Sequence, residues 1–162
     1  MIKTAFLNGD YRYFLARQWE PSLPVLVFVM LNPSTADHEK DDPTIRRCIR
    51  FAVERGYGGL VVVNLMAYRA TDPNNLPMVA HRAIGPRNAE FIRQSVEGRD
   101  VVVAWGAHRR ATVDVVRSAA EVLHAHAAAI YCLGRTKDGS PRHPLYVRAD
   151  QPFEVFSTVD AV

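Results

Sequence analysis

Val25-Leu26-Val27-Phe28-Val29-Met30-Leu31-Asn32-Pro33-Ser34-Thr35-Ala36-Asp37 is an unbroken apolar run that stops abruptly in a polar, turn-forming loop. An apolar run without alternation, rich in valine, reads as a strand buried on both faces, as in the interior of a parallel sheet. The pattern recurs at Leu60 to Leu65, Val101 to Trp105 and Ala129 to Leu133. In a parallel α/β sheet, residues just past the carboxyl ends of the strands line the ligand crevice. The loop beginning at Asn32, and Asn64 near the end of the second run, are therefore the first places to look for chemistry.

Helical patterns separate these runs. Pro43 to Arg55 has Asp42 as N-cap, Pro43 at the first helical position, Ile45, Cys48, Ile49 and Ala52 at helical spacing, and Gly56 as its stop. Arg87 to Glu97 and Arg109 to Ala125 follow, the latter with Val113, Val116, Ala120 and Leu123 turned inward. Strands alternating with helices imply right-handed crossovers and helices on both faces. The expected fold is a three-layer α/β/α domain with a four-stranded parallel sheet. Upstream, Lys3 to Leu7 and Tyr11 to Trp19 flank Asn8-Gly9-Asp10, a hairpin signal, so residues 1–20 are expected to form an N-terminal β-hairpin added to that domain. The polar stretch from Ala70 to Gly85, broken by Pro73 and Pro77, is a long connection of the kind that serves as a binding loop or lid. The tail from Leu145 has no pattern that assigns it to an element.

The 162 residues make one domain, spanning 1–162, large enough for a substantial core. A hydrophobic share of 48% with 23% charged residues is that of a globular protein, and no apolar run is long enough to cross a bilayer. The first residues turn at Asn8-Gly9 before a signal-peptide core could form, which points to the cytoplasm. Cys48 and Cys132 lack disulfide-framework or zinc-ligand spacing and read as small buried residues. A net charge of +3 permits a polyanionic partner without requiring one.

Taken in chain order, strand-Asn32-Pro33, strand-Asn64, Val101-Val102-Val103-Ala104-Trp105-Gly106-Ala107-His108 and the late His143-Pro144-Leu145 resemble the loop motifs of the uracil-DNA glycosylase superfamily over about residues 25–148. The whole chain, through MLNPSTAD, DDPTIRRC, VVNL-x-AYRATDP, AWGAH and HPLY, also resembles a bacterial family of small proteins with no assigned function. The glycosylase resemblance implies a single domain of that type and specific roles. Met30-Leu31-Asn32-Pro33 is similar to the Gly-Ile-Asn-Pro of the mismatch-specific branch, where Asn positions the attacking water. Asn64 falls where the uracil type carries a base-reading Asn, and a carboxamide offers donor and acceptor to a Watson-Crick edge. His143 falls where that superfamily's His stabilises the departing base, although Leu145-Tyr146-Val147-Arg148 replaces the second Ser-Pro of the motif. The implied partner is nucleic acid or a nucleotide, with N-glycosidic hydrolysis as the reaction and no cofactor or metal.

Other residues complete the candidate set. Asp37, with Asp41 and Asp42, could supply a general base or hold a hard cation, while Asp42 serves equally as the helix cap. Tyr68 could stack on a flipped base or belong to the core. Arg69, Lys137 and Arg142 sit in crevice loops and are expected to contact phosphates, whereas Arg46, Arg47 and Arg50 read as a solvated helix face. Trp105 and His108 read as packing and turn geometry, and His124 and His126 as a helix terminus. Two alternatives stand beside base excision: a base- or nucleotide-binding module without catalysis, and a metal-dependent phosphoesterase or nuclease built on Asp37, Asp41 and Asp42.

Overall fold

The computed structural model describes residues 1–157. Strands β1 (Ile2–Asn8), β2 (Tyr11–Gln18), β3 (Val25–Met30), β4 (Gly59–Asn64), β5 (Asp100–Val103), β6 (Ala129–Cys132) and β7 (Glu154–Val155) form one seven-stranded sheet in the order β1-β2-β4-β3-β5-β6-β7. Strand β3 pairs in parallel with β4 and β5, and β5 with β6. Antiparallel pairings join β1 to β2, β2 to β4 and β6 to β7. The chain is thus a mixed α/β protein.

The expectation of a four-stranded parallel sheet with an added hairpin is corrected, because the sheet has seven strands among the described residues and is mixed. The N-terminal hairpin is part of the sheet, because Leu15 to Gln18 pair with residues 59–62 of β4 and cover its outer edge. An unpaired strand edge exposes a row of backbone donors and acceptors, and this pairing satisfies them. The tail, which had no assignable pattern, covers the opposite edge with β7 and first makes a 3-10 turn at Pro144–Tyr146. Both residues of β7 are exposed, so no burial pattern marks them in the sequence.

Helices cover both faces. Helix α1 (Pro43–Glu54) packs Ile45, Cys48, Phe51 and Ala52 against Leu26, Phe28, Leu60, Val62 and Val102. On the other face Val27, Val29, Val63, Val101 and Val103 meet Ile92 and Val96 of α3 (Asn88–Val96) and Val115, Val116, Ala119 and Leu123 of α4 (Val113–His126). Successive strand residues point to opposite faces, so a strand covered on both sides has no polar position, which is the origin of the run at 25–31.

Local chemistry sets the helix ends. The Asp42 carboxylate accepts the Ile45 N–H at 2.9 Å as the N-cap of α1. Helix α4 starts later than its periodicity suggests, because Thr112 caps it through the Val115 N–H. Arg109 and Arg110 instead turn back to the long connection: Arg109 binds the Asn74 side chain, and Arg110 donates to the carbonyls of Leu76 and Pro77. That connection contains a 3-10 turn at Pro73–Asn75 and the short helix α2 (Ala80–Ile84). Among the described residues no helix is long and apolar enough to cross a membrane.

Candidate functional site

A cavity of about 650 Å³ opens where the parallel strands end. Asn32 follows β3, Asn64 ends β4, Trp105 to His108 follow β5, and Arg142 and His143 lie in the segment after β6. Main-chain bonds zip these loops together beyond the strands. Leu65 N–H donates to the Met30 carbonyl at 2.8 Å, Met66 N–H to Leu31 at 3.0 Å and Ala70 N–H to Pro33 at 3.0 Å. Gly106, at φ 76°, turns the chain after Trp105 so that its N–H reaches the Pro141 carbonyl at 2.8 Å, close beside His143. Left-handed backbone of this kind favours glycine.

Asn64 is 1% exposed, and neither its side-chain oxygen nor its nitrogen has a hydrogen-bond partner. Its main chain is fixed: Asn88, itself 1% exposed at the start of α3, donates to the Asn64 carbonyl at 2.8 Å and to Leu65 at 3.2 Å. Buried polar side chains are nearly always paired, and an unpaired one costs about 1–3 kcal/mol. A carboxamide held in place with both poles unpaired is organised for a ligand. Asn32 differs. Its amide nitrogen donates to the carbonyls of Pro33 at 3.0 Å and Ala70 at 2.8 Å, which leaves the oxygen as the pole that can accept from a water or ligand.

His143 Nδ1 accepts the Leu145 N–H at 3.2 Å, so the proton of the neutral ring sits on Nε2. Burial holds this imidazole below its ordinary range, with Asp42 pulling the other way. Near neutral pH it is an uncharged N–H donor in the cavity wall, with Tyr146, 79% exposed at the mouth, tilted against it at 5.5 Å between ring centres. His108 repeats the arrangement: its Nδ1 accepts the Arg110 N–H at 3.0 Å, and burial followed by Arg109 lowers its pKa. Both histidines line the same cavity.

The remaining expected residues lie elsewhere. Asp37 does not line the cavity; its carboxylate accepts the N–H groups of Glu39 and Lys40, each at 2.8 Å, and those bonds lower its pKa. Asp41 pairs with Arg17, and Asp42, capping α1, is the carboxylate that reaches the cavity. The three acids are therefore committed to three separate jobs, and among the described residues no group of His, Cys, Asp and Glu is arranged to hold a metal ion. Tyr68 packs edge-on against Tyr11 at 5.8 Å and against the core, away from the cavity. Arg69 donates to the Ser34 carbonyl and lines an adjoining cleft of about 380 Å³, which shares Ser34, Ala70 and Thr71 with the main cavity. Arg142 lines the main cavity and donates to the Arg135 carbonyl, while Lys137 lines neither. Arg46, Arg47 and Arg50 bind Asp41, Val147 and Glu54.

Three residues of this site were not singled out as functional from the sequence: His108, Tyr146 and Arg12, a 2% exposed arginine of β2 that lines the cavity. A charged residue inside the otherwise apolar Tyr11-Arg12-Tyr13-Phe14-Leu15 run was the available signal.

The model of a family described as a protein of unknown function (DUF1643) matches residues 12–145. The chain belongs to this family. No curated protein and no solved structure matches the chain. The matched span of the DUF1643 member runs from Arg12 to Leu145 and so includes all of the cavity lining except Tyr146.

Proposed function

We propose that this DUF1643 protein recognises a nucleobase of a nucleic acid or nucleotide and hydrolyses its N-glycosidic bond in the manner of the uracil-DNA glycosylase superfamily. The observation that carries the reading is the buried Asn64 carboxamide, whose donor and acceptor both lack partners in a residue that lines a cavity large enough for a nucleotide. The parallel pairing of β4, β3, β5 and β6, with α1 packed on one set of strand side chains and α3 and α4 on the other, supports reading it as the three-layer α/β/α scaffold on which such loops converge.

In this mechanism Asn64 pairs with the edge of the base. Cleavage of the glycosidic bond develops positive charge on the sugar and negative charge on the departing base. The neutral His143, with Nε2–H as donor, stabilises the base; a donor aimed at developing charge in a water-poor site is the larger part of such catalysis. Asn32 orients water through its free oxygen. Asp42, the carboxylate of the cavity wall, offsets the sugar's positive charge and takes the water's proton. The protein acts in the cytoplasm, consistent with two buried free thiols.

The test is an excision assay with EDTA present, on single- and double-stranded oligonucleotides carrying uracil, mismatched thymine, hypoxanthine or 5-hydroxymethyluracil, with abasic sites revealed by alkali. Product lost in both Asn32→Ala and His143→Ala is the expected result. A second reading, a binder without catalysis, is favoured by the cap bond that occupies one oxygen of Asp42. Base-dependent thermal stabilisation that disappears in Asn64→Leu, with no product at enzyme in excess, would establish it.

A further inference from the structure

Strand β2 carries two buried arginines, and they are partnered very differently. Arg17, 1% exposed, donates to the Asp41 carboxylate at 2.8 Å and to the carbonyls of Thr4, Ala16, Asp37 and Lys40. It is a finished clamp on the loop after β3. Arg12, 2% exposed, makes one side-chain bond among the described residues, from Nη1 to the Ala36 carbonyl at 2.9 Å; its Nε is buried without a partner among them, and none of their carboxylates lies within ion-pair distance. Burial lowers its pKa to about 10; Asp42 exerts the strongest attraction on it, while Arg69 and Arg17 repel it. It is thus still a cation near neutral pH, inside the wall of the cavity. A buried guanidinium without a counter-ion is costly, and such charges are normally paired.

We propose that Arg12 is an anion-binding residue of the cavity and that its ligand is the phosphate of a nucleotide. The assignment to a nucleotide rests on the base reading above; the anion site stands on Arg12 alone. Phosphate fits better than carboxylate because its oxygens can use further donors, and the hydroxyl-bearing residues Ser34, Thr44 and Thr71 line the same cavity. The adjoining cleft, which shares Ser34, Ala70 and Thr71 with the cavity, is lined by Arg69 together with Asp10. Asp42, which also lines the cavity, opposes an anion, so the phosphate is placed at Arg12 and the sugar toward Asp42. The N-terminal hairpin, besides closing a sheet edge, therefore delivers a specificity element. Arg12 N–H bonds the Ala67 carbonyl at 3.0 Å, which ties Arg12 to the segment that follows Asn64.

The experiment measures binding of inorganic phosphate, the common 2′-deoxynucleosides, their 5′-monophosphates and a short single-stranded oligonucleotide to the full chain, by calorimetry and thermal shift. Wild type, Arg12→Lys, Arg12→Met and Asn64→Leu are compared. Monophosphates are expected to bind more tightly than their nucleosides, with Arg12→Met weakening them about tenfold or more and leaving nucleosides unaffected. Arg12→Lys keeps the charge without the fork and is expected to fall between. Inorganic phosphate alone should raise the wild-type melting temperature and not that of Arg12→Met. The oligonucleotide arm separates the two sources of phosphate: tighter binding than the monophosphates assigns the site to a polymer, weaker binding to a free nucleotide. Monophosphates no tighter than nucleosides in wild type, or equally tight in Arg12→Met, would overturn the Arg12 site. Phosphate binding without any Asn64-dependent nucleoside binding would keep the anion site and remove the base reading.

Discussion

Replacing Asn64 by Leu separates a residue kept for folding from one kept for a ligand. The two side chains are close in size and shape, and the native carboxamide has both poles buried and unpaired. Leaving such a group unsatisfied costs about 1–3 kcal/mol, whereas an apolar group of the same shape carries no such penalty. Taking about 1–2 kcal/mol as the gain, and a shift of about 2–4 °C per kcal/mol for a chain of this size, Asn64→Leu should melt about 2–8 °C above wild type. Thermal melts by circular dichroism, with a urea titration to show an unchanged slope, are the assay. The same variant should lose all base-dependent stabilisation. A variant that melts lower than wild type would refute the reasoning, because it would mean that the carboxamide is paired in the native protein. That result would remove the observation on which the proposed function stands.

His143 and His108 make stability depend on pH. Burial depresses both below their ordinary 6.5, so below that value the unfolded chain binds protons that the folded chain refuses. Their contribution is complete above about pH 6.5 and is lost as pH falls through the depressed values. The charges facing His143 are Asp42, and those facing His108 are Arg109, Asp72 and Arg110. Asn can keep the Nδ1-type acceptor for Leu145 N–H or Arg110 N–H but does not titrate, so the double variant His108→Asn/His143→Asn should lose less stability than wild type between pH 7 and 5. Parallel denaturation curves for the two proteins across that range would contradict this. Arg17→Leu should cost about 3–5 kcal/mol, or about 6–20 °C, because it removes the buried cation from Asp41, which keeps Lys3 at 3.5 Å, and takes a donor from four carbonyls at once. A urea-measured loss below 1 kcal/mol would show that the loop after β3 does not depend on that clamp.

Much of the fold was legible because its determinants are local. The run at 25–31 records burial on both faces, Asp42-Pro43 records a cap followed by a fixed φ, and Asn8-Gly9 records a tight hairpin turn. The start of α4 was misread because Arg109 to Ala111 fit the periodicity, while the competing bonds of Arg109 and Arg110 to residues 74–77 lie more than thirty positions away. The loops bearing Asn32, Asn64 and His143 were found from strand ends and motif order. Asp37 and Tyr68 had the right chemistry in the right loops, but a turn and the core respectively claim their side chains.

By itself the sequence determined most of the strands and helices, β7 and α2 excepted, since periodicity, caps and turn residues act over a few positions, and it named the loops in which polar side chains would gather. Only the tertiary structure decided which of those side chains share a cavity. The β2–β4 pairing joins residues more than forty positions apart and brings Arg12 of the hairpin into the wall beside the segment that follows Asn64. Whether a buried polar atom has a partner depends on every neighbour that folding assembles around it, and for Asn64 and Arg12 that sum of non-local contacts comes out unsatisfied.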